Sequence, residues 1–144
     1  MEFEEVATGL GFPEGPIVMP DGSVILVEIL ASKLTRVWGN GRREIIAHIS
    51  GSPAGAALGP DGAVYICNLG GFDLVKFFSL EGSGNEGRIE RVDLSSRKVE
   101  RPYDRCGDRM LRGADDLVID RTGNFWFTDY GKDLEDRRVF SIAH

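Results

Sequence analysis

Apolar residues fall along this chain in short runs punctuated by glycine, proline and aspartate. Val24-Ile25-Leu26-Val27, Val64-Tyr65-Ile66 and Phe125-Trp126-Phe127 are continuous and rich in β-branched and aromatic side chains. That combination predicts strands buried on both faces. Other stretches bracket turns. Leu34-Thr35-Arg36-Val37-Trp38 and Arg43-Glu44-Ile45-Ile46-Ala47 flank Asn40-Gly41. The alternating Arg88-Ile89-Glu90-Arg91-Val92 and Lys98-Val99-Glu100 flank Leu94-Ser95-Ser96. No segment predicts a helix.

These strands repeat. Three segments align without a gap: Phe12-Pro13-Glu14-Gly15 through Asp21-Gly22-Ser23 to Val27-Glu28-Ile29; Ser52-Pro53-Ala54-Gly55 through Asp61-Gly62-Ala63 to Cys67-Asn68-Leu69; and Gly113-Ala114-Asp115-Asp116 through Thr122-Gly123-Asn124 to Thr128-Asp129-Tyr130. Each reads as a strand, a tight glycine turn and a second strand, glycine supplying the positive φ such turns need. Glu14 and Ala54 are 40 residues apart, and Ala54 and Asp115 are 61 apart. The first interval matches a propeller blade of about 40–50 residues. The second fits a blade with an insertion, which falls in residues 70–87 and reads as a long surface loop. The expected fold is all-β, a β-propeller with four-stranded antiparallel blades around residues 12–50, 52–103 and 113–144. Residues 1–10 offer a possible closing strand. Closed propellers need at least about four blades, and the third unit runs out after Arg138-Val139-Phe140-Ser141-Ile142. The chain reads as roughly half of a propeller.

Composition narrows the partners. Lys plus Arg number 17 against 23 acidic residues, a net charge of -6, which disfavours nucleic acid. Cys67 and Cys106 form neither a disulfide framework nor a Cys-x-x-Cys pair, so they read as free thiols in a reducing compartment. Met1-Glu2-Phe3-Glu4-Glu5 lacks the basic start of a signal peptide, and no run approaches the ~18 apolar residues of a membrane span. A cytoplasmic protein with neither a nucleic-acid nor a membrane partner is expected.

Several motifs carry no chemistry here. Gly82-Ser83-Gly84-Asn85-Glu86-Gly87 matches G-x-G-x-x-G but runs into a strand, so no helix N-terminus receives a pyrophosphate. There is no G-x-S-x-G elbow, and His48 and His144 are the only histidines, which leaves serine-hydrolase chemistry unsupported. His48 reads as a solvated strand end, and Arg42-Arg43 and Arg137-Arg138 as solvated strand edges. Trp38 and Trp126 read as core or inter-blade packing.

The repeat register singles out three positions. The first strand of every propeller blade lines the central channel, so Glu14, Ala54 and Asp115 lie at one height around the axis. Two carboxylates converging there repel unless one is protonated or a cation lies between them. A hard divalent ion, Ca²⁺ first, suits oxygen ligands of this kind. Side-chain oxygens that merely organise local turns would account for the same residues equally well.

These residues belong to a longer series of motifs. Phe12-Pro13-Glu14-Gly15-Pro16, Gly59-Pro60-Asp61-Gly62 to Cys67-Asn68-Leu69-Gly70-Gly71-Phe72, Gly87-Arg88-Ile89-Glu90-Arg91-Val92-Asp93, and Leu111-Arg112-Gly113-Ala114-Asp115-Asp116-Leu117-Val118 to Phe127-Thr128-Asp129 follow in order. Together they resemble the SMP-30/gluconolactonase/LRE-like family over nearly the whole chain. The resemblance implies a β-propeller of the six-bladed type, with about three blades present, a divalent metal in its channel, and hydrolysis of sugar lactones or related esters. It implies Glu14 as a metal ligand. Ala54 stands where the family has the asparagine of a Pro-Asn-Gly motif, and that oxygen is lost. Asp115 stands at the asparagine ligand of a Pro-Asn-Asp motif, keeping an oxygen and adding a charge. The family's further aspartate, a ligand also credited with acid–base work, belongs to a later blade that this chain does not contain. Asn68, at the end of an inner strand, reads as structural.

The expectation is a metal-dependent lactone or ester hydrolase in incomplete form. Glu14 and Asp115 are its metal ligands, Ca²⁺ the leading ion ahead of Zn²⁺, Mg²⁺ or Mn²⁺, and a small lactone or ester its substrate. Open propeller faces point to self-association. The alternative is a degenerate propeller that binds a small ligand or partner without turnover, which the loss of an oxygen at Ala54 favours.

Overall fold

Tight turns set the architecture. Gly22, Gly62 and Gly123 adopt φ of 79°, 77° and 89°, a conformation costly for any residue with a Cβ. Their amides donate to the carbonyls of Met19, Gly59 and Asp120 at 2.9, 3.0 and 3.0 Å. The amides of those same three residues donate across the turn to Ser23, Ala63 and Asn124 at 2.8, 2.8 and 2.9 Å. One turn is thus built three times from three different sequences.

The computed structural model describes residues 2–71, 86–131 and 138–143. Its first sheet comprises β1 (Pro13–Val18), β2 (Val24–Glu28), β3 (Lys33–Val37) and β4 (Arg43–His48). The second comprises β5 (Pro53–Leu58), β6 (Val64–Asn68), β7 (Arg88–Val92) and β8 (Val99–Tyr103). A short hairpin, β9 (Arg105–Cys106) with β10 (Arg109–Met110), precedes the third sheet of β11 (Ala114–Ile119), β12 (Phe125–Asp129) and β13 (Arg138–Ile142). Each sheet is an antiparallel meander in sequence order, and no helix occurs among the described residues. The hairpin is an element that the sequence pattern does not predict. Most of the expected insertion loop, including residues 82–85 of the glycine motif, lies outside the described residues, as do Arg137 and His144.

The sheets pack face to face. Ile25, Val27 and Leu34 of the first meet Val64, Ile66 and Val92 of the second. The opposite face of the second sheet, with Tyr65, Cys67 and Ile89, meets Leu117, Phe125 and Phe127 of the third. The rings of Tyr65 and Phe125 lie 4.6 Å apart between centroids. Alternation along β6 sends odd and even residues into different cores, so all five of its residues are buried.

Two expectations of burial need correction. β12 alternates buried and exposed residues, with Trp126 47% exposed. Trp126 repeats Tyr65, but no described sheet covers its face. Trp38 is only partly buried, and the guanidinium carbons of Arg36 and Arg42 lie 5.1 and 4.1 Å from its ring centroid, a cation–π arrangement. Arg42 is therefore partnered rather than simply solvated. Arg43 donates to the carbonyls of Thr8 and Gly9, near the end of residues 2–10, which form no strand. His48 and Arg138 are exposed, His48 at the end of β4.

β1, β5 and β11 are the strands brought together by this stacking. Gly15 lies against Gly55 and Ala56, where a Cβ on Gly15 would overlap the Ala56 backbone. A Cβ on Gly55 would stand 2.6 Å from the Asp116 Cα and 2.7 Å from the Asp115 carbonyl oxygen. Residues 15 and 55 are equivalent in the repeat, and their lack of a side chain lets the inner backbones approach.

Candidate metal centre

Each second strand ends in a polar residue at one repeat position: Glu28, Asn68 and Asp129, which are 2%, 0% and 4% exposed. A buried polar group needs partners, and here each has at least one backbone amide ahead of its inner strand. Asp129 Oδ1 accepts from Gly113 and Gly131, both at 2.9 Å, and Oδ2 accepts from Arg112 at 2.9 Å. Asn68 Oδ1 accepts from Ser52 at 3.0 Å and Gly70 at 2.9 Å. Glu28, one methylene longer than Asp129, accepts from Gly11 at 2.7 Å through Oε2 and from the Thr35 hydroxyl at 2.7 Å through Oε1. Burial pushes the Glu28 carboxyl up, but the Gly11 amide, the Thr35 hydroxyl and Lys33 outweigh it and leave it below its ordinary value.

Asn68 is structural, as expected, although its strand is second from the inside rather than innermost. Its amide nitrogen donates to the Ser50 carbonyl and to Glu90 Oε2, both at 2.8 Å. Glu90 in turn pairs with buried Arg88 at 2.9 Å. Neither Glu28 nor Asp129 stands out in the sequence as a candidate of this kind. The available signal was an oxygen-bearing side chain closing an apolar strand at the same offset in all three units.

Glu14, Ala54 and Asp115 lie on β1, β5 and β11, the strands paired with those that carry the anchors. Glu14 is exposed, Ala54 buried and Asp115 half-buried. Every inner strand bulges here, between Glu14 and Ile17, Pro53 and Ala56, and Ala114 and Leu117. The Asp115 carboxyl sits above its ordinary value because of burial first, then the charges of Asp116 and Glu14. Burial, followed by the charges of Asp115, Asp116 and Asp129, pushes the Cys67 thiol well up. Cys67 and Cys106 are both free.

Turn organisation does not occupy these two carboxylates. Asp21, Asp61 and Asp120 accept the turn amides of Ser23, Ala63 and Thr122, and Asp116 accepts from its neighbour Leu117. The side chains of Glu14 and Asp115 make no hydrogen bond or ion pair to any described residue. Their oxygens are the hard donors that Ca²⁺ or a similar ion takes. Ala54 adds none, and no three His, Cys, Asp or Glu side chains form a metal-binding group among the described residues. The donors fit a hard divalent ion in kind and fall short of one in number.

A model of the SMP-30/gluconolactonase/LRE-like region matches residues 12–141. The chain belongs to this family. Among solved structures, a candidate gluconolactonase superposes with a TM-score of 0.68 at 23% identity, over 94% of this chain and 46% of its own. A gluconolactonase of Xanthomonas campestris gives 0.70 at 16%, over 93% and 44%. A luciferin-regenerating enzyme gives 0.64 at 9%, over 94% and 46%. Comparison with curated proteins yields no significant match. At such identities the superpositions establish the fold, a β-propeller of the six-bladed type with about three blades here. This SMP-30/gluconolactonase/LRE-like chain spans about half the length of the solved structures it matches. No helix among its described residues is long and apolar enough to cross a membrane.

Proposed function

We propose that this chain carries part of the metal centre of a gluconolactonase-like hydrolase acting on sugar lactones or related esters, and that Glu14 and Asp115 are its metal ligands. One observation supports the reading above the rest: two mutually repelling carboxylates, with no hydrogen-bond or ion-pair partner among the described residues, stand at the family's ligand register on the two inner strands that flank β5. A divalent ion, Ca²⁺ first, would supply Lewis acidity toward the ester carbonyl when bound. Glu14, which is exposed, and Asp115, which is half-buried, would hold it. Asp115 gives up the neutrality of the family's asparagine, so its side chain binds a cation more strongly and tempers its charge more. Ala54 contributes shape without a donor.

The acid–base carboxylate is not assigned to any of these 144 residues, and the 144-residue chain alone should hydrolyse lactones near background. A reducing, cytoplasmic setting accompanies this reading, supported by the two free thiols. The alternative, a propeller that binds without turnover, draws its support from Ala54. Hydrolysis of gluconolactone by the product of the whole reading frame containing these residues separates the two. Activity abolished by EDTA, restored by Ca²⁺ and lost in Glu14→Ala supports the hydrolase. Metal binding without turnover supports the alternative, and turnover indifferent to EDTA overturns both.

A further inference from the structure

We propose that Glu28, Asn68 and Asp129 are positioning residues that set Glu14, Ala54 and Asp115 at a common height, and that Asp129 governs the placement of Asp115. The inference rests on the metal-centre reading above and extends it to residues that would not touch the ion.

The geometry repeats in all three units. The side chain of residue 28, 68 or 129 accepts from an amide two or three residues before the register position: Gly11, Ser52 and Gly113. The following residue donates its own amide back to the same entering segment. Ile29 donates to the Phe12 carbonyl at 3.1 Å, Leu69 to Ser52 at 3.0 Å and Tyr130 to Gly113 at 2.7 Å. Entering and leaving chains are thereby clasped side by side just ahead of each inner strand.

The clasp has a mechanical consequence because the bulge comes next. A bulge interrupts the ladder that otherwise fixes register, and a slip of one residue turns every side chain to the other face. With the entering segment pinned on one side of the bulge and the glycine turn on the other, Glu14 and Asp115 cannot take up that freedom. Asp129 accepts the most backbone amides of the three. Its two oxygens accept three amides, from Arg112, Gly113 and Gly131. Committed in this way, they serve as acceptors rather than ligands. Asn68 performs the Oδ1 part of the task without a charge, so acceptor placement matters more than the negative charge.

The test uses the full chain, Ca²⁺ titrated by calorimetry, and amide hydrogen exchange read by NMR. Asp129→Ala removes the side-chain half of the clasp, Asp129→Ser keeps a weaker acceptor should the alanine variant fail to fold, and Asp129→Asn keeps Oδ1 as Asn68 does. Exposed Asp108→Ala is the control. Asp129→Ala is expected to weaken Ca²⁺ binding about 10–100-fold, as loss of an outer-shell partner does, and to accelerate exchange across residues 113–117 while leaving β2 and β3 unchanged. Asp129→Ser should fall between, and Asp129→Asn should restore most of both. Local loosening with unchanged Ca²⁺ affinity would make Asp129 merely structural and overturn the proposal. Unchanged exchange, or equal acceleration throughout the chain, would overturn it as well. Failure of the parent chain to bind Ca²⁺ would defeat the metal-centre reading, and exchange across residues 113–117 would then decide only whether Asp129 fixes the backbone that carries Asp115.

Discussion

Asp115 and Glu28 respond to pH in opposite senses, although both are partly or wholly buried carboxylates. The folded-state value of Asp115 lies above its ordinary one, through burial and then Asp116 and Glu14. The folded chain therefore holds that proton more tightly than the unfolded chain. Stability contributed by this group falls as pH rises from the ordinary value, 3.8, to the folded one, and stays lost above it. Asp115→Asn should consequently stabilise the protein at neutral pH, with the gain vanishing below about pH 4, as urea unfolding across pH would record. Glu28 lies below its ordinary value, so its contribution is present above 4.5 and lost as pH falls through the lowered folded value. Glu28→Gln should flatten that acid arm. Asp129→Ala strands buried amides and should cost about 2–4 kcal/mol, whereas Asp129→Asn should cost less. Asn68→Asp is the instructive converse, since it would set a carboxylate against Glu90, which now accepts from the Asn68 amide. The register of Glu14 and Asp115 was legible because the three units align without gaps. The anchoring role of Asp129 was not, because a polar residue after an apolar strand reads equally well as the point where a chain meets solvent.

Among the elements, the three glycine turns were readable from sequence because their chemistry is local. The closeness of β1, β5 and β11 was not, since it depends on which backbones face one another across sheets. Gly22 and Gly55 separate these two sources of constraint. A Cβ on Gly22 would meet nothing within 4 Å, and only its φ of 79° opposes a side chain. Gly22→Ala should cost about 1–2 kcal/mol, the ordinary penalty of a left-handed residue. Gly55→Ala would drive a methyl into Asp115 and Asp116. Its cost should reach about 3 kcal/mol or more, the upper end of overpacking, and it should also weaken Ca²⁺ binding while Gly22→Ala does not. Denaturant midpoints and a Ca²⁺ titration on the two variants check both statements. The hairpin of β9 and β10 escaped sequence reading for another reason. Two-residue strands are too short to express a period. β12 shows the limit of composition: Phe125-Trp126-Phe127 resembles a strand covered on both sides, yet coverage depends on what packs beyond it.

For the whole molecule, the outer face of the third sheet follows from that difference. Val118, Trp126 and Val139 are 63%, 47% and 72% exposed, while the equivalent face of the second sheet is filled by Tyr65 and Cys67 packed on the third. Exposed apolar patches of this kind promote association. The 144-residue chain should therefore self-associate in sedimentation experiments. Changing Val118 and Val139 to lysine should weaken that association by about tenfold or more, equivalent to at least 1.4 kcal/mol, without loss of the β signal in circular dichroism. The account stands most directly on whether one ion is held by Glu14 and Asp115 together. Calorimetric titration of Ca²⁺ into the parent chain, Glu14→Ala, Asp115→Ala and the double variant measures this as a cycle. One ion per chain is expected, with either single substitution removing most of the affinity and the second adding little. Ca²⁺ binding that survives both substitutions, strictly additive losses, or no binding by the parent chain would contradict it.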